Sequence, residues 1–139
     1  VAVRVKVRLE FAGEYIEAVA IANSGYEATT PEILIPENLA RLRWRRILKG
    51  APYVEYATAG GHARFKCVGE AKVSITCKDR ISKKVRVRLL VSGIQRGVLL
   101  NDKLCGRLGM VLVDPATGRW RFRDDPPNRQ RRSQAQQMW

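Results

Sequence analysis

Ile21-Ala22-Asn23-Ser24-Gly25 reads as an apolar strand that ends abruptly at a polar, small-residue turn. Its echo lies far down the chain at Val98-Leu99-Leu100-Asn101, an apolar run that stops at a polar residue and gives way to a helix. Asn and Ser side chains bond to nearby backbone and Gly tolerates positive φ, so the first stretch suits a tight turn. Asn101 suits a helix cap, with Asp102 in the favourable first turn and Leu104, Cys105 and Leu108 on one face. Gly109 is placed to stop that helix.

Upstream, Val1, Val3, Val5, Val7 and Leu9 alternate with Ala2, Arg4, Lys6 and Arg8, which predicts a strand with one apolar and one basic face. A turn over 11–14 leads to a second strand over 15–21. Its run Ala18-Val19-Ala20-Ile21 predicts burial on both faces. Past the Asn23 turn, Ile33-Leu34-Ile35 predicts a short strand and Pro36 the first turn of a helix. Arg41, Arg43, Arg45, Arg46 and Lys49 follow, with Trp44 among them and Gly50-Ala51-Pro52 closing the segment. Strands are predicted over 53–58, 63–68 and 71–77, with Ala59-Gly60-Gly61-His62 as a hairpin tip. Val85, Val87 and Leu89 alternate with Lys84, Arg86 and Arg88, and Trp120 and Phe122 with Arg119, Arg121 and Arg123. Met110–Val113 is a further strand, joined to the last by a turn over 114–118.

Residues 1–123 therefore read as one small domain, mostly antiparallel β, with two short helices. From Asp124 the apolar period disappears. Residues 124–139 read as a basic tail, extended or disordered without a partner.

No apolar run approaches the roughly 20 residues of a membrane span. No charged-then-apolar leader opens the sequence, so the expected location is cytoplasmic, with no membrane partner. Cys67, Cys77 and Cys105 make an odd count without a C-x-x-C pair, and His62 is the only histidine. No metal or cofactor is expected. Buried free thiols are the simpler reading, and a Cys67–Cys77 disulfide stays open.

The order of parts resembles the retropepsin-like (retroviral-type) aspartic protease family. Ile21-Ala22-Asn23-Ser24-Gly25 resembles its catalytic turn, and Ile33-Leu34-Ile35-Pro36-Glu37-Asn38-Leu39-Ala40 the strand and helix after it. Residues 56–62 sit where its flap would be. Val98-Leu99-Leu100-Asn101-Asp102-Lys103-Leu104 resembles the start of its C-terminal helix. The resemblance implies a mostly β, small closed antiparallel β-barrel-like acid-protease fold with two short helices, which dimerises so that each chain offers one Asp, the two carboxylates sharing a proton. Here Asn23 holds the Asp position and Asn101 the usual Gly position. An amide exchanges no proton near neutral pH, so Asn23, Ser24 and Gly25 are expected to be a vestigial site without catalysis.

The net charge of +13 makes polyanions the expected partners. Alternation sends Arg4, Lys6, Arg8, Lys84, Arg86, Arg88, Arg119, Arg121 and Arg123 outward. Like charges stacked on strands need a counter-charge, and phosphates would supply it. Arg41, Arg43, Arg45, Arg46 and Lys49 form a further patch, where Trp44 is either core or a platform for a base. Arg129, Arg131 and Arg132 extend the set into the tail. The expected function is RNA binding by a catalytically inactive domain, as a ribosomal or ribosome-associated structural protein contacting ribosomal RNA and neighbouring proteins. The alternative is a homodimeric aspartic endopeptidase whose Asp is replaced by Asn23. A basic protein-interaction module is the third class.

Overall fold

The alternating valines of the first strand build one wall of a barrel. In the computed structural model, which describes residues 2–58 and 60–139, the elements follow in a simple order. They are β1 (Arg4–Phe11), β2 (Glu14–Ala22), β3 (Glu32–Pro36), helix α1 (Glu37–Gly50), β4 (Tyr53–Thr58), β5 (Gly61–Ile75), β6 (Val85–Ser92), β7 (Val98–Leu100), helix α2 (Asp102–Arg107), β8 (Met110–Asp114) and β9 (Arg119–Phe122). The parts of the strand and hairpin-tip expectations that fall on Val1 and Ala59 lie outside the described residues.

Strand order β1-β2-β7-β3-β6-β5, with β5 returning to β1, closes the barrel. β4 hangs from β5 as a hairpin, and β8 and β9 form a separate ribbon. Most pairings are antiparallel, but β7 runs parallel to β2 and β3 parallel to β6. Val3, Val5, Val7 and Leu9 point inward with Val73, Ile75, Val87 and Leu89, all buried. Each such side chain contributes about 1.5–3 kcal/mol by leaving water. The run in β2 is buried on one face only: Ala18, Ala20 and Ala22 face the core, while Val19 and Ile21 are half-buried.

The expected strands over 63–68 and 71–77 are one long strand, β5. The register shifts between Cys67 and Gly69, and Gly69 has φ +136°. Only glycine takes that conformation without strain. The bulge bends the strand, so its first part pairs with β4 and its second with β6 and β1.

Helix α1 lays Leu39, Ala40, Trp44 and Leu48 on the barrel and kinks at Trp44. The Trp44 indole N–H donates to the Phe11 carbonyl at 3.0 Å, and the two rings meet edge to face. Trp44 is therefore core, and the base-platform option for it falls. α2 begins at Asn101, whose side chain accepts the Leu104 N–H, and ends before Gly109 at φ +79°.

Residues 124–139 run extended, yet they are seated on their own domain. Trp120 and Arg131 exchange backbone bonds of 3.1 and 2.6 Å, and the Gln134 N–H donates to the Arg4 carbonyl at 3.0 Å. Gln137 Oε1 accepts the Val19 N–H at 2.8 Å. The Trp139 N–H donates to the Arg96 carbonyl at 2.8 Å. Strand edges thus supply the partner that an apolar period would otherwise have to replace.

The anchor is Arg131. Its Nε and Nη2 donate to Asp125 at 2.8 and 3.0 Å, and its Nη1 and Nη2 to Asp79 at 2.7 and 3.0 Å. Those bonds hold both carboxyls down at about 2. A carboxyl depressed in the folded state stabilises fully above its ordinary value of about 4 and loses that contribution as pH falls further. The tail should therefore stay seated at neutral and mildly acid pH and release between about pH 4 and pH 2. Cleavage by an acid-active protease, mapped by mass spectrometry, checks this; release above that window would mean that other groups hold the tail.

Candidate functional site

The parallel pairing of β2 with β7 brings the two defining stretches side by side. Ala20, Ile21 and Ala22 stand opposite Val98, Leu99 and Leu100, and the Asn23 N–H donates to the Leu100 carbonyl at 3.0 Å. Asn23 Oδ1 accepts the Gly25 N–H at 3.1 Å, and the Asn23 carbonyl accepts the Tyr26 N–H at 3.1 Å. The side chain closes its own turn, as Asn commonly does. Ser24 and Gly25 are exposed and Asn23 is half-buried. No carboxylate stands in this turn, so as built it offers hydrogen bonds but no group to take or give a proton.

Asn101 is fully buried and makes three side-chain hydrogen bonds. Its Oδ1 accepts the Glu32 N–H at 2.9 Å and the Leu104 N–H at 3.0 Å, and its Nδ2 donates to the Thr30 carbonyl at 2.9 Å. One side chain therefore caps α2 and ties it to the start of β3. A glycine could make none of these bonds.

Beside it lies a cluster that sequence reasoning missed. Glu32 is 1% exposed. Its Oε1 accepts Tyr26 Oη–H at 2.7 Å, and both of its oxygens lie 2.7 Å from Tyr56 Oη. Arg88 Nη1 donates to Oε2 at 3.3 Å, and Arg88 Nη2 reaches Cys67 Sγ at 3.7 Å. Burial, and then the bond to Glu32, pushes both phenols up, so both remain donors. Tyr56 belongs to β4, Glu32 to β3 and Tyr26 to the segment after the Asn23 turn. The cluster thus fastens the β4–β5 hairpin over Leu34, Phe65, Leu90 and Leu99. The available signal was a lone acid opening an apolar strand just after Pro31.

The basic side chains divide into two sets. Lys6 meets Glu17 at 3.3 Å, Lys84 meets Glu10 at 3.1 Å and Arg86 meets Glu70 at 3.5 Å. Arg41 meets Glu37 at 3.5 Å and Arg43 meets Glu14 at 3.3 Å. Much of the counter-charge that the strand faces require is therefore internal. Exposed pairs like these are worth about 1 kcal/mol at most. Arg88 is held by Glu32, its direct register partner across the parallel pair. Arg8 lies 3.8 Å over the Tyr15 ring. Arg4 is half-buried, its Nε without a partner among the described residues.

Arg121 donates to the carbonyls of Phe122, Arg123 and Asp125, and Arg123 to the Gly106 carbonyl at 2.6 Å. Arg129 meets Asp79 at 2.9 Å. Arg131, 10% exposed and committed to Asp79 and Asp125, serves the fold rather than a phosphate. Arg45, Arg46, Lys49, Arg119 and Arg132 have no ion-pair partner among the described residues. Arg45, Arg46 and Lys49 project together from the exposed side of α1.

No protein-family model matches the chain, and neither does any curated protein. Among the described residues no three His, Cys, Asp or Glu side chains converge as a metal-ligand set, and no helix is long and apolar enough to cross a membrane. Cys67, Cys77 and Cys105 are all free thiols, so the Cys67–Cys77 disulfide is not formed. Burial pushes Cys105 up to about 12, which keeps it protonated and inert.

Proposed function

We propose that this chain is a retropepsin-like domain without hydrolytic chemistry that binds RNA through its phosphates, as a structural component of an RNA–protein particle such as the ribosome. The observation that carries the reading is the unpaired stripe of Arg45, Arg46 and Lys49 on α1. Residues 41–49 hold five cations and no acid. Like charges three and four residues apart destabilise a helix, so such a stripe weakens the free protein and suits one that meets a polyanion. Arg presents a planar fork of donors that fits phosphate oxygens.

Binding should weaken steeply with salt, because each phosphate contact releases counterions. Replacing Arg45, Arg46 and Lys49 together by Glu should abolish binding at moderate salt and flatten the salt dependence. Sedimentation of the native protein from its own lysate, at stepped salt and with or without RNase, tests the cellular partner. Migration with large particles, released by RNase or high salt, supports the reading. Free, RNase-indifferent migration, with no affinity for RNA at low salt, overturns it.

One observation favours the homodimeric endopeptidase as a second reading: the Asn23 turn leads into Tyr26, which packs against the apolar cluster under the β4–β5 hairpin. The expected result is that Asn23→Asp stays inactive toward an unfolded protein from acid to neutral pH. Acid-favoured cleavage that the parent lacks would move the reading to the peptidase.

A further inference from the structure

We infer that the ligand of the α1 surface is a single strand of nucleic acid, and that Tyr53 is the platform on which one of its unpaired bases stacks. The inference rests on the RNA reading above and adds the class of strand. Tyr53 begins β4 immediately after the helix and is 55% exposed. Register places it opposite Lys66, with Arg64 opposite Glu55 on the same outward face of the hairpin. Arg64 Cζ lies 4.3 Å and Lys66 Nζ 5.5 Å from the centre of the Tyr53 ring.

Lys66 also joins this face to the helix, because its Nζ donates to the Leu48 carbonyl at 3.0 Å. Between them is a shallow depression of about 360 Å³ lined by Glu37, Arg41, Arg45, Leu48, Lys49 and Lys66. Arg45, Lys49 and Lys66 thus lead from the stripe on α1 to an exposed aromatic ring, while the acids on this face are paired, Glu37 with Arg41 at 3.5 Å and Glu55 with Arg64 at 4.0 Å.

That combination selects single strands. In a duplex every base face is covered by its neighbours, so a ring at the end of a phosphate track has nothing to stack on. An unpaired base presents a π-face of any sequence, and positively charged tracks with aromatic platforms bind single strands for this reason. The other strongly exposed tyrosine, Tyr15 at 48%, makes a useful contrast. It also has an arginine over its ring, but three glutamates, Glu10, Glu14 and Glu70, line its depression and occupy the cations around it, Lys84, Arg43 and Arg86, which leaves fewer for phosphates.

The test is fluorescence anisotropy of the full chain with labelled oligouridine of about 12 nucleotides, its deoxy counterpart, and an RNA duplex of equal length. The parent should bind the single strand more tightly than the duplex. Tyr53→Leu should weaken single-strand binding about tenfold and leave duplex binding and the salt slope unchanged; Tyr53→Trp should restore or exceed the parent affinity. The deoxy arm separates RNA from DNA as the source of the strand, and either preference is compatible with stacking. Equal affinity for duplex and single strand, or no loss in Tyr53→Leu while Arg45→Glu with Lys49→Glu abolishes binding, overturns this inference and leaves the RNA reading standing. No binding by the parent at the lowest salt overturns both.

Discussion

Asn101→Ala is expected to lower stability by about 3–5 kcal/mol, because each buried backbone group left without a partner costs about 1–3 kcal/mol. Three such groups are exposed to that loss: the N–H groups of Glu32 and Leu104 and the carbonyl of Thr30. Asn101, Glu32 and Leu104 are buried, so water reaches their groups poorly, whereas Thr30 is exposed and its carbonyl loses least. Urea denaturation, with the midpoint shifted and the slope unchanged, is the measurement. Asn101→Asp separates the contributions, since it keeps the accepting oxygens and loses only the donor to Thr30. At neutral pH that carboxylate would face the Thr30 carbonyl and destabilise. Below its titration it could donate again, so its loss should shrink as pH falls. A cost under about 1 kcal/mol for Asn101→Ala would mean that the α2 cap is dispensable.

Arg131→Ala should cost about 3 kcal/mol, the lower end of what breaking a buried ion pair costs. The side chains of Arg131 and Asp125 are 10% and 6% exposed. The loss comes from leaving buried Asp125 with only the more distant Arg80 at 3.7 Å, since it also accepts the Phe122 N–H at 2.9 Å and so cannot turn away. Removing the stranded charge should therefore recover part of it, and Arg131→Ala with Asp125→Asn should be more stable than Arg131→Ala alone. Arg131→Lys should restore less than half, because an ammonium cannot donate to both carboxylates in the fork geometry. Limited proteolysis reads the second consequence, since residues beyond Arg131 should become cleavable at neutral pH. A protected tail in Arg131→Ala would place its anchor at Gln134, Gln137 and Trp139 instead.

The alternation of β1, β6 and β9 exposed which side of each strand faces the core, since a period of two admits one assignment. The Asn23 turn, the Asn101 cap and the Gly109 stop were equally legible, because each rests on local backbone chemistry. What was not legible depends on partners distant in the chain. Glu32 and Arg88 meet only because β3 and β6 run parallel in that register. Nothing in either segment announces the other, and the Arg88 charge looked free. The tail carries no apolar period, so its docking rests on strand edges and on two aspartates 52 and 6 residues away from Arg131. Trp44 sat among arginines that looked like a ligand surface, but its i, i+4 spacing with Ala40 and Leu48 puts it on the buried face of α1.

The placement of β7 has a consequence for how the chain reaches its native state. This strand of three residues fills the slot between β2 and β3, which precede it by more than sixty residues. Until Val98–Leu100 arrives, β2 and β3 each present a bare edge and the barrel cannot close. Contacts so distant along the chain are made slowly, since loop entropy must be overcome before they stabilise anything. Nascent chains shorter than that point are therefore open sheets with strand-pairing edges, the species most prone to associate with one another. A few apolar residues late in the sequence therefore decide when those bare edges are covered.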